Sequence, residues 1–444
     1  MSKERFLNQM KALLGADYAT FEATLGAPAF RGVYVNRLKC DVKKFQALFP
    51  YSLEPTPFSP NGFYIAPTIE GLGTHPLHHA GAFYAQEPSA MSAAAALEVQ
   101  PGDKVLDLCA APGGKTTALA GALGETGLLW SNEYVKQRAF TLLSNVERIG
   151  ARNVIISNSD AGALANALPA FFDKILVDAP CSGEGMLRRE KADYARWNEK
   201  NIAICAARQS EILDNAAAML TSGGSLVYST CTFNKEENEG VITRFLETHG
   251  DFSLVPIDHA FGSPAFGMPA AKRIFPKDGG EGHFVAKLQK TGEAQRVKYS
   301  TFTAKKAPEA FHTFYHEQFH TPPYGIPGSI GGKVYLLPPQ MPAVKEVHIL
   351  RAGVLAGEMK GKLFFPAHQL YSAAHLDDCK KTVNFTLTDP RLSAYLHGEE
   401  TDVGDLTGEK GFHAVAVEGI PLGFGKVSGG KMKNHYPKGL RNVK

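Results

Sequence analysis

Residues 100–290 alternate short apolar segments with amphipathic segments of helical periodicity, and this pattern constrains the fold more than any other feature. Such alternation is typical of a parallel sheet whose strands are joined by crossover helices. It therefore predicts an open, doubly wound α/β sheet rather than a barrel. The predicted strands are 105–108, 128–132, 154–156, 175–177 and 226–228, followed by 252–255 and by 283–286, whose alternation favours an antiparallel edge.

The helices between these strands have recognisable ends. They are predicted over 115–123, 135–149 and 198–220. Gly150 closes the second helix, and the glycine-containing segment 222–224 is expected to stop the third. Asn234, with Glu237 three residues later, predicts a capping box at the start of the next helix.

Composition indicates a folded chain of several domains without a membrane or metal signal. With 444 residues, 44% of them hydrophobic and 20% charged, the chain is expected to form two to four domains. No apolar run reaches the roughly 20 residues that span a bilayer, and no signal peptide is expected. The six cysteines are scattered without a Cys-x-x-Cys pair, so we expect no metal and a cytoplasmic setting. Nothing demands more than a monomer.

Basic residues cluster at the C-terminus, although the net charge is only +3. From 421 to 444 there is no Asp or Glu, and the basic residues are Lys426, Lys431, Lys433, Lys438, Arg441 and Lys444. Such a cluster fits contact with a phosphate backbone, and a solvated basic tail is the alternative. Phe424, His435 and Tyr436 interleave with these charges, and ordinary packing is the favoured interpretation of Phe424.

The loop after the first predicted strand carries a ligand-binding pattern. It reads Asp107-Leu108-Cys109-Ala110-Ala111-Pro112-Gly113-Gly114-Lys115-Thr116-Thr117. Small residues and paired glycines let backbone approach a ligand, and free N–H groups at a helix start favour negative charge. A Walker A loop would need glycine where Cys109 stands, and the dinucleotide pattern Gly-x-Gly-x-x-Gly is absent. The loop resembles that of S-adenosylmethionine-dependent methyltransferases, and a structural glycine turn is the alternative.

Three acidic residues follow successive predicted strands. Glu133, Asp160 and Asp178 each stand at or just past the carboxyl end of a strand. Carboxyl ends of parallel strands meet at the edge where such sheets bind ligands. A carboxylate at Glu133 could accept hydrogen bonds from two ribose hydroxyls, and Asp160 could receive an amino group such as adenine N6. Each acid alone would be interpreted as a solvated loop residue, but the three together fit the same cofactor.

Cys181 and Cys231 also follow predicted strands, and two thiols in one crevice beside a carboxylate predict covalent chemistry. Methylation of cytosine C5 needs this chemistry, because a thiolate added at C6 makes C5 enamine-like. N3 must gain a proton as the thiolate adds, and C5 must later lose one. Cys181 and Cys231 are the candidates for nucleophile and elimination helper, with Asp178 as the partner of N3. Cys40, Cys205 and Cys379 are interpreted as small, buried hydrophobic residues. Cys109 is expected to contribute only its backbone to the cofactor loop.

Several motifs resemble the RsmB/RsmF/Sun family of RNA 5-methylcytosine methyltransferases. They are Asp-Leu-Cys-Ala-Ala-Pro-Gly-Gly-Lys-Thr at 107–116, Asp-Ala-Pro-Cys-Ser-Gly-Glu-Gly-Met at 178–186, Ser-Thr-Cys-Thr-Phe at 229–233, Arg-Ile-Phe-Pro at 273–276 and Gly-His-Phe at 282–284. The resemblance covers about 83–290 and implies a Rossmann-like methyltransferase core that uses S-adenosylmethionine.

The resemblance also implies a role for each candidate residue. Cys231 would attack C6, and Cys181 would assist release of the product. Chemistry alone leaves these two roles open, since the Pro-Cys cysteine is the nucleophile of DNA 5-cytosine methyltransferases. For the cofactor, the backbone of Cys109 to Lys115 would hold the methionine end, Glu133 the ribose and Asp160 the adenine, with Arg138 supporting the site and Asp178 near the amino acid group and the base.

The outer segments resemble the RsmF branch of that family, which modifies small-subunit ribosomal RNA. The matching segments are 83–91, before the core, and 434–441, which resembles the end of a PUA-like module. The expected domains are a small N-terminal α+β RNA-binding domain (1–95), the methyltransferase core (96–290), a linker (291–295) with a small RRM-like α/β domain (291–380) and a β-rich, basic PUA-like RNA-binding domain (381–444).

The leading hypothesis is methylation of cytidine C5 in 16S ribosomal RNA through a covalent Cys–C6 intermediate, with the small ribosomal subunit as partner. One alternative is the same chemistry on transfer RNA. Another is a non-catalytic RNA-binding factor in ribosome assembly. The complete cofactor loop and both cysteines count against this second alternative, because a non-catalytic protein needs neither thiol.

Overall fold

The computed structural model describes residues 2–188, 194, 198–292 and 297–442. These residues form one ten-stranded sheet, one four-stranded sheet and two five-stranded sheets. Most of the predicted linker, 293–295, and the basic residue Lys444 lie outside the described residues. Among the described helices, none combines the length and the apolar character that crossing a membrane requires.

The N-terminal unit, residues 2–96, is built on an antiparallel sheet of strand order β2-β3-β1-β4. Its elements are α1 (Ser2–Leu14), α2 (Tyr18–Thr24), β1 (Arg31–Val35), α3 (Val42–Leu48), β2 (Glu54–Pro55), β3 (Gly62–Ile65), α4 (Pro76–His79), β4 (Phe83–Gln86) and α5 (Ser92–Ala96). Val33 and Phe83 pack in one hydrophobic cluster with Val383 and Tyr436 from the end of the chain. The first and last units therefore share a core.

The central unit contains the predicted doubly wound sheet. Its elements are β5 (Lys104–Asp107), α6 (Gly114–Leu123), β6 (Leu128–Asn132), α7 (Lys136–Ile149), β7 (Val154–Ser157), α8 (Ala161–Ala167), β8 (Phe172–Asp178), α9 (Glu199–Met219), β9 (Leu220–Thr230), α10 (Glu239–Thr248), β10 (Phe252–Val255), β11 (Ser263–Ala265), β12 (Met268–Ile274) and β13 (His283–Lys290). Strands β7, β6, β5, β8 and β9 are parallel neighbours in that order. From β5 the chain adds β6 and β7 on one side and then β8 and β9 on the other, so the strand order switches between β5 and β8. Such a switch point places a ligand crevice at the carboxyl ends of these two strands.

Three details of the sequence prediction for this unit are wrong. Strand β13 is antiparallel, as expected, but it lies inside the sheet, because β9 flanks one side and β12 and β10 the other. Residues 222–224 do not stop a helix, since they belong to β9. The capping box is absent: Asn234 caps only a turn, accepting the Glu236 N–H at 2.8 Å, and α10 begins at Glu239.

Two further units follow the central one. The third unit comprises β14 (Lys305–Lys306), α11 (Glu309–Gln318), β15 (Ile326–Ile330), β16 (Lys333–Leu337), β17 (Ile349–Ala352), β18 (Val354–Lys360), β19 (Leu363–Pro366) and α12 (His368–Ser372). The fourth comprises β20 (Thr382–Phe385), α13 (Pro390–His397), β21 (Thr401–Asp402), β22 (Gly411–Val417), β23 (Ile420–Ser428) and β24 (Lys431–Asn434). Strand β17 leaves its own unit and pairs with β7, which ties the third unit to the central sheet.

Candidate active site

Two loops that follow neighbouring parallel strands bring the two cysteines together. Strands β8 and β9 pair in register, with Asp178 opposite Ser229. The chain then leaves each strand in the same direction, so Cys181 and Cys231 meet with their sulfur atoms 3.4 Å apart. This distance allows one thiol to donate a hydrogen bond to the other.

The environment distinguishes the two sulfur atoms. The pKa of Cys181 is raised well above its ordinary value, first by its hydrogen bond to Cys231, then by burial, and further by Cys231 and the Glu237 carboxylate. Cys181 therefore keeps its proton near neutral pH and can donate it to the Cys231 sulfur. When Cys181 is the donor, the Cys231 sulfur accepts the hydrogen bond, which is the arrangement that a nucleophilic sulfur requires.

An ion pair lies at the same edge of the sheet. The Lys115 ammonium is 2.8 Å from one Asp178 oxygen, and the Ser229 hydroxyl donates to the other at 2.8 Å. Burial alone would raise the pKa of Asp178, but Lys115, His283 and these hydrogen bonds outweigh it and lower that pKa below its ordinary value. The pKa of Lys115 is raised, because Asp178 and the nearby Cys231 and Asp107 outweigh the opposing effect of burial. Asp178 is thus an ionised acceptor rather than a proton donor.

The predicted cofactor loop, Cys109 to Lys115, connects β5 to the start of α6. The Ala110 N–H donates to the Asn132 carbonyl at 2.8 Å, which anchors the loop to the end of β6. Gly113 has φ of 114°, a left-handed conformation that side chains rarely adopt, and α6 begins immediately after it. The turn therefore presents the N–H groups of a ten-residue helix to the crevice.

Asp107 provides an unsatisfied acceptor beside this loop. Its carboxylate is fully buried and accepts the Thr116 hydroxyl at 2.7 Å, while the other oxygen has no hydrogen-bond partner among the described residues. Burial raises the pKa of Asp107 to about 7, against the lowering effect of the Thr116 hydrogen bond. Orphaned buried oxygens are rare in folded proteins unless a ligand or water satisfies them. The loop and this orphaned oxygen fit a cationic ligand such as S-adenosylmethionine.

Glu133 and Arg138 meet at the next strand end. Glu133, directly after β6, is buried, accepts the Val135 N–H at 2.8 Å and lies 3.3 Å from the Arg138 guanidinium. Arg138 also donates to the Ala111 carbonyl at 2.7 Å, so it ties the acid to the loop. Asp160 is exposed and caps α8 through the Ala163 N–H at 2.9 Å. The predicted adenine contact of Asp160 remains a prediction.

Sequence reasoning missed the groups that hold the Cys181 loop. Glu237, expected to cap a helix, is fully buried and accepts from the Ser182 N–H at 2.9 Å and from the Ser182 hydroxyl. Gln209 donates to Glu237 at 2.9 Å and to the Pro180 carbonyl at 3.0 Å. Burial raises the pKa of Glu237 against the lowering effect of these hydrogen bonds. Glu237 therefore holds the backbone after Cys181, Gln209 holds the backbone before it, and the bond between the two side chains ties this loop to α9.

A second carboxylate holds the Cys231 loop. One Glu184 oxygen accepts the Thr232 hydroxyl at 3.0 Å and the Phe233 N–H at 3.1 Å, and the other accepts Gln9 from α1 at 2.8 Å. Gly185 approaches the Cys231 carbonyl so closely that an added Cβ would lie 2.9 Å from that oxygen. Glu184 therefore links the two cysteine loops to each other and to the N-terminal unit.

His283 is a further group that the sequence did not single out as a site residue. It is buried, and its Nδ1 lies 3.2 Å from the Ser89 hydroxyl, which itself donates to Glu87 at 2.6 Å. Burial lowers the pKa of His283, and Lys115 lowers it further, so the ring is neutral at neutral pH. The signals for Glu184 and His283 were present, since both lie inside the motifs quoted above. Nothing in the sequence singled out Gln209, which reads as one polar residue of a long amphipathic helix.

Comparison with known proteins identifies the class of protein. The family model described as 16S rRNA methyltransferase RsmB/F matches residues 94–289. Models of the RsmF N-terminal domain, first C-terminal domain and PUA domain match residues 3–88, 313–373 and 382–442. The chain is thus a methyltransferase with a Rossmann-like core, an N-terminal domain and a PUA-like C-terminal domain, which confirms the predicted fold class.

Whole-chain relatives define the family more narrowly. Ribosomal RNA small subunit methyltransferase F of Klebsiella pneumoniae (strain 342) is 33% identical, over 98% of this chain and 96% of its own. The protein of the same name from Vibrio campbellii (strain ATCC BAA-1116) is 31% identical, over 98% and 97%. The chain belongs to the RsmF family of 16S ribosomal RNA methyltransferases.

Solved structures resemble about two thirds of the chain. A methyltransferase homologue from Pyrococcus horikoshii is 31% identical, with a TM-score of 0.56, over 64% of this chain and 93% of its own. NSun6 from Pyrococcus horikoshii, solved with SFG, has a TM-score of 0.58 and 24% identity, over 65% and 98% of the two chains, and shows the fold alone.

Proposed function

We propose that this protein methylates C5 of a cytidine in 16S ribosomal RNA, with S-adenosylmethionine as methyl donor. The observation that carries the proposal is the 3.4 Å contact between the Cys181 and Cys231 sulfur atoms, beside the Asp178–Lys115 ion pair. Cytosine C5 is a poor nucleophile, so its methylation requires covalent activation. The relatives named for small-subunit ribosomal RNA match 98% of the chain, which favours ribosomal over transfer RNA.

The chain's own residues account for the activation of the base. The Cys231 thiol gives up its proton and the thiolate adds to C6. The electron pair of the C5–C6 double bond moves to C4–C5, that of the C4–N3 double bond moves onto N3, and N3 takes up the proton that the thiol lost. Asp178, kept ionised by Lys115 and Ser229, accepts a hydrogen bond from the protonated N3. The Cys181 thiol, which retains its proton, stabilises negative charge on the Cys231 sulfur before addition.

Release of the product uses the same groups in reverse. A solvent base takes the C5 proton, the C5–C6 double bond re-forms, and the Cys231 sulfur departs with the electron pair of the C6–S bond. N3 then returns its proton to the departing thiolate. The Cys181 thiol donates to that leaving sulfur, which makes its departure easier. This step gives Cys181 its role in product release.

S-adenosylmethionine, when bound, supplies an electrophilic methyl group. The backbone of Cys109 to Lys115 and the unsatisfied oxygen of Asp107 would hold its cationic methionine end. Glu133, oriented by Arg138, would bind the ribose, and Asp160 the adenine. The protein would act as a monomer in the cytoplasm, where the small ribosomal subunit is made.

The decisive experiment traps the covalent intermediate with RNA that contains 5-fluorocytidine, because fluorine at C5 blocks elimination. We expect a protein–RNA adduct in mass spectrometry for wild type, Cys181→Ala and the control Cys205→Ala, but none for Cys231→Ala. Loss of the adduct in Cys181→Ala instead would reverse the two roles. No adduct with any variant on a confirmed substrate would contradict C5 chemistry.

A second experiment separates the substrate classes. Bisulfite sequencing of ribosomal and transfer RNA from a strain that lacks the gene should show a lost 5-methylcytidine in 16S ribosomal RNA. A loss confined to transfer RNA would transfer the proposal to that substrate. If the deletion strain grows poorly and Cys231→Ala restores normal growth, that result would instead support the non-catalytic assembly role.

A further inference from the structure

A groove of about 480 Å³ lies between the third and fourth units, outside the active site. We call it the junction groove and define it by six of its lining residues: Lys333, Lys360, Phe412, Lys426, Lys433 and His435. Its volume is in the range of about 300–1,000 Å³ that is typical of ligand sites. Four of these residues are lysines, and one carboxylate, Glu358, also lines the groove and pairs with Lys360 at 2.9 Å. The groove keeps a net positive charge, so an anionic occupant is favoured electrostatically.

Two of the lysines repel each other across the sheet. Lys426 on β23 and Lys433 on β24 are direct register partners. Like charges directly opposite in an antiparallel pair destabilise the sheet. Within the described part of the chain, no carboxylate lies within ion-pair distance of either residue. The fold therefore keeps an uncompensated pair of positive charges in the groove, which an anion would neutralise.

The wall of the groove ends in a column of aromatic rings. Tyr371 and Phe424 stack with ring centroids 4.9 Å apart and an interplanar angle of 19°. Phe424 and His435 continue the column at 4.9 Å and 18°. Tyr371 and Phe424 are buried, whereas His435 is half-exposed and lines the groove. The column thus ends in a flat ring on which a further ring can stack.

The remaining aromatic side chains of the groove carry lysines beside them. The Lys426 ammonium lies 5.2 Å from the centroid of the Phe412 ring, and the Lys360 ammonium lies 5.1 Å from that of Phe365. Phe365 is 40% exposed. Burial lowers the pKa of His435, and Lys433 and Lys426 lower it further, so its ring is neutral at neutral pH. Aromatic faces next to cations are the elements that bind unpaired nucleotides.

We propose that the junction groove binds a single-stranded segment of the substrate RNA, with one base stacked on His435 and the adjoining phosphates against Lys426 and Lys433. The inference rests on the proposed function, because it takes RNA as the substrate, but its residues belong to no part of the catalytic machinery. A duplex is disfavoured, since only an unstacked base can lie against an aromatic ring. An acidic peptide would satisfy the lysines but would leave the aromatic column unused.

The first test maps contact in the unmodified, full-length protein. Small-subunit ribosomal RNA that contains 4-thiouridine is cross-linked to the protein by light, and cross-linked peptides are identified by mass spectrometry. We expect cross-links in the peptides that contain Phe412 and His435. Cross-links confined to the N-terminal and central units would overturn the proposal.

The second test measures affinity in matched variants. Lys426→Gln/Lys433→Gln removes two charges from the groove, and Lys431→Gln/Lys438→Gln removes two exposed charges from the same unit outside it. We expect the groove variant to weaken RNA binding about tenfold or more and to lower the slope of log K against log salt by about 1.4. His435→Ala should weaken binding about tenfold with the slope unchanged. Equal effects of the two double variants would overturn the proposal.

Methyl transfer distinguishes failure of this inference from failure of the proposed function. The groove variant should raise KM for RNA and leave kcat at saturating RNA near the wild-type value. If wild type methylates 16S ribosomal RNA and the groove variant has the same KM, only the groove inference fails. If wild type methylates no cytidine, the proposed function fails. Weakened binding to assembled subunits but not to naked RNA would identify a protein occupant and overturn the RNA assignment.

Discussion

The crevice at the carboxyl edge of the central sheet and the junction groove both bring charged side chains together. The crevice compensates its charges with ion pairs and hydrogen bonds, whereas the groove leaves two of its charges unpaired within the described part of the chain. In the crevice, Asp178 is paired with Lys115, and Glu184 and Glu237 accept several hydrogen bonds each. In the groove, Lys426 and Lys433 face each other without a carboxylate partner among the described residues. Positioning of a reacting base requires fixed partners, whereas binding of a polyanion requires charge that is still available.

The largest effect is expected from Asp178→Asn, which breaks the compensated pair in the crevice. The amide cannot stabilise a protonated N3 as a carboxylate does, so kcat should fall by about 10²–10³. Methyl incorporation into 16S ribosomal RNA measures this loss. Asp173→Asn, at the other end of β8, is the control and should retain wild-type activity. A rate within threefold of wild type for Asp178→Asn would mean that the ion pair serves only the fold.

Asp107 is the exception within the crevice, because it is buried and forms no ion pair with any residue that the structure describes. This burial predicts that the stability of the protein depends on pH. Its pKa of about 7 in the folded protein exceeds the value of about 3.9 in the unfolded chain. Its contribution to the free energy of unfolding is therefore complete below pH 4 and is lost as pH rises to 7, by up to about 4 kcal/mol. Asp107→Asn should abolish that dependence in urea unfolding of the ligand-free protein, whereas Asp103→Asn should keep it. An unchanged pH profile in Asp107→Asn would contradict the buried-acid assignment.

Glu237→Gln tests whether the buried carboxylate positions Cys181. A glutamine cannot accept every hydrogen bond that the carboxylate accepts, so the free energy of unfolding should fall by about 2 kcal/mol. Loss of the negative charge should also lower the pKa of Cys181, which alkylation of that thiol as a function of pH measures. Glu236→Gln, exposed and adjacent, is the control. Loss of stability without a shift in the alkylation profile would limit Glu237 to a structural role.

The smallest effect is expected from Lys433→Gln, which relieves the repulsion in the groove. The free energy of unfolding without RNA should rise by about 0.5 kcal/mol, because like charges across a strand pair are removed. Lys431→Gln, two residues away on the same strand and 3.9 Å from Glu400, should not stabilise the protein. If Lys433→Gln instead lowers the free energy of unfolding, the positive charge of Lys433 is compensated in the folded protein. The groove would then not differ from the crevice in this respect.

Local pattern was sufficient for the parallel strands of the central sheet but not for the position of its antiparallel strand or for the other units. The apolar segments and the carboxyl-end loops predicted that Asp178, Cys181 and Cys231 come together, because parallel strands direct their ends to one edge. The antiparallel strand β13 was placed at an edge, although it is interior, since pairing partners are not encoded within a strand. The basic C-terminal residues were predicted to form one patch, yet Arg441 binds the Tyr436 carbonyl and Tyr436 packs against His79.

The sequence by itself determined the fold class and singled out the loop 107–117, the strand-end acids and the two cysteines as candidates, because each depends on periodicity or on residues close together in the chain. Only the tertiary structure decided which carboxylates hold the cysteine loops and which lysines remain unpaired. In the sequence Glu237 stands where a helix cap is expected, but in the structure it precedes α10 and accepts a hydrogen bond from Ser182 in the loop after β8. Such roles depend on contacts between residues far apart in the chain, such as Gln9 with Glu184, which no local pattern specifies.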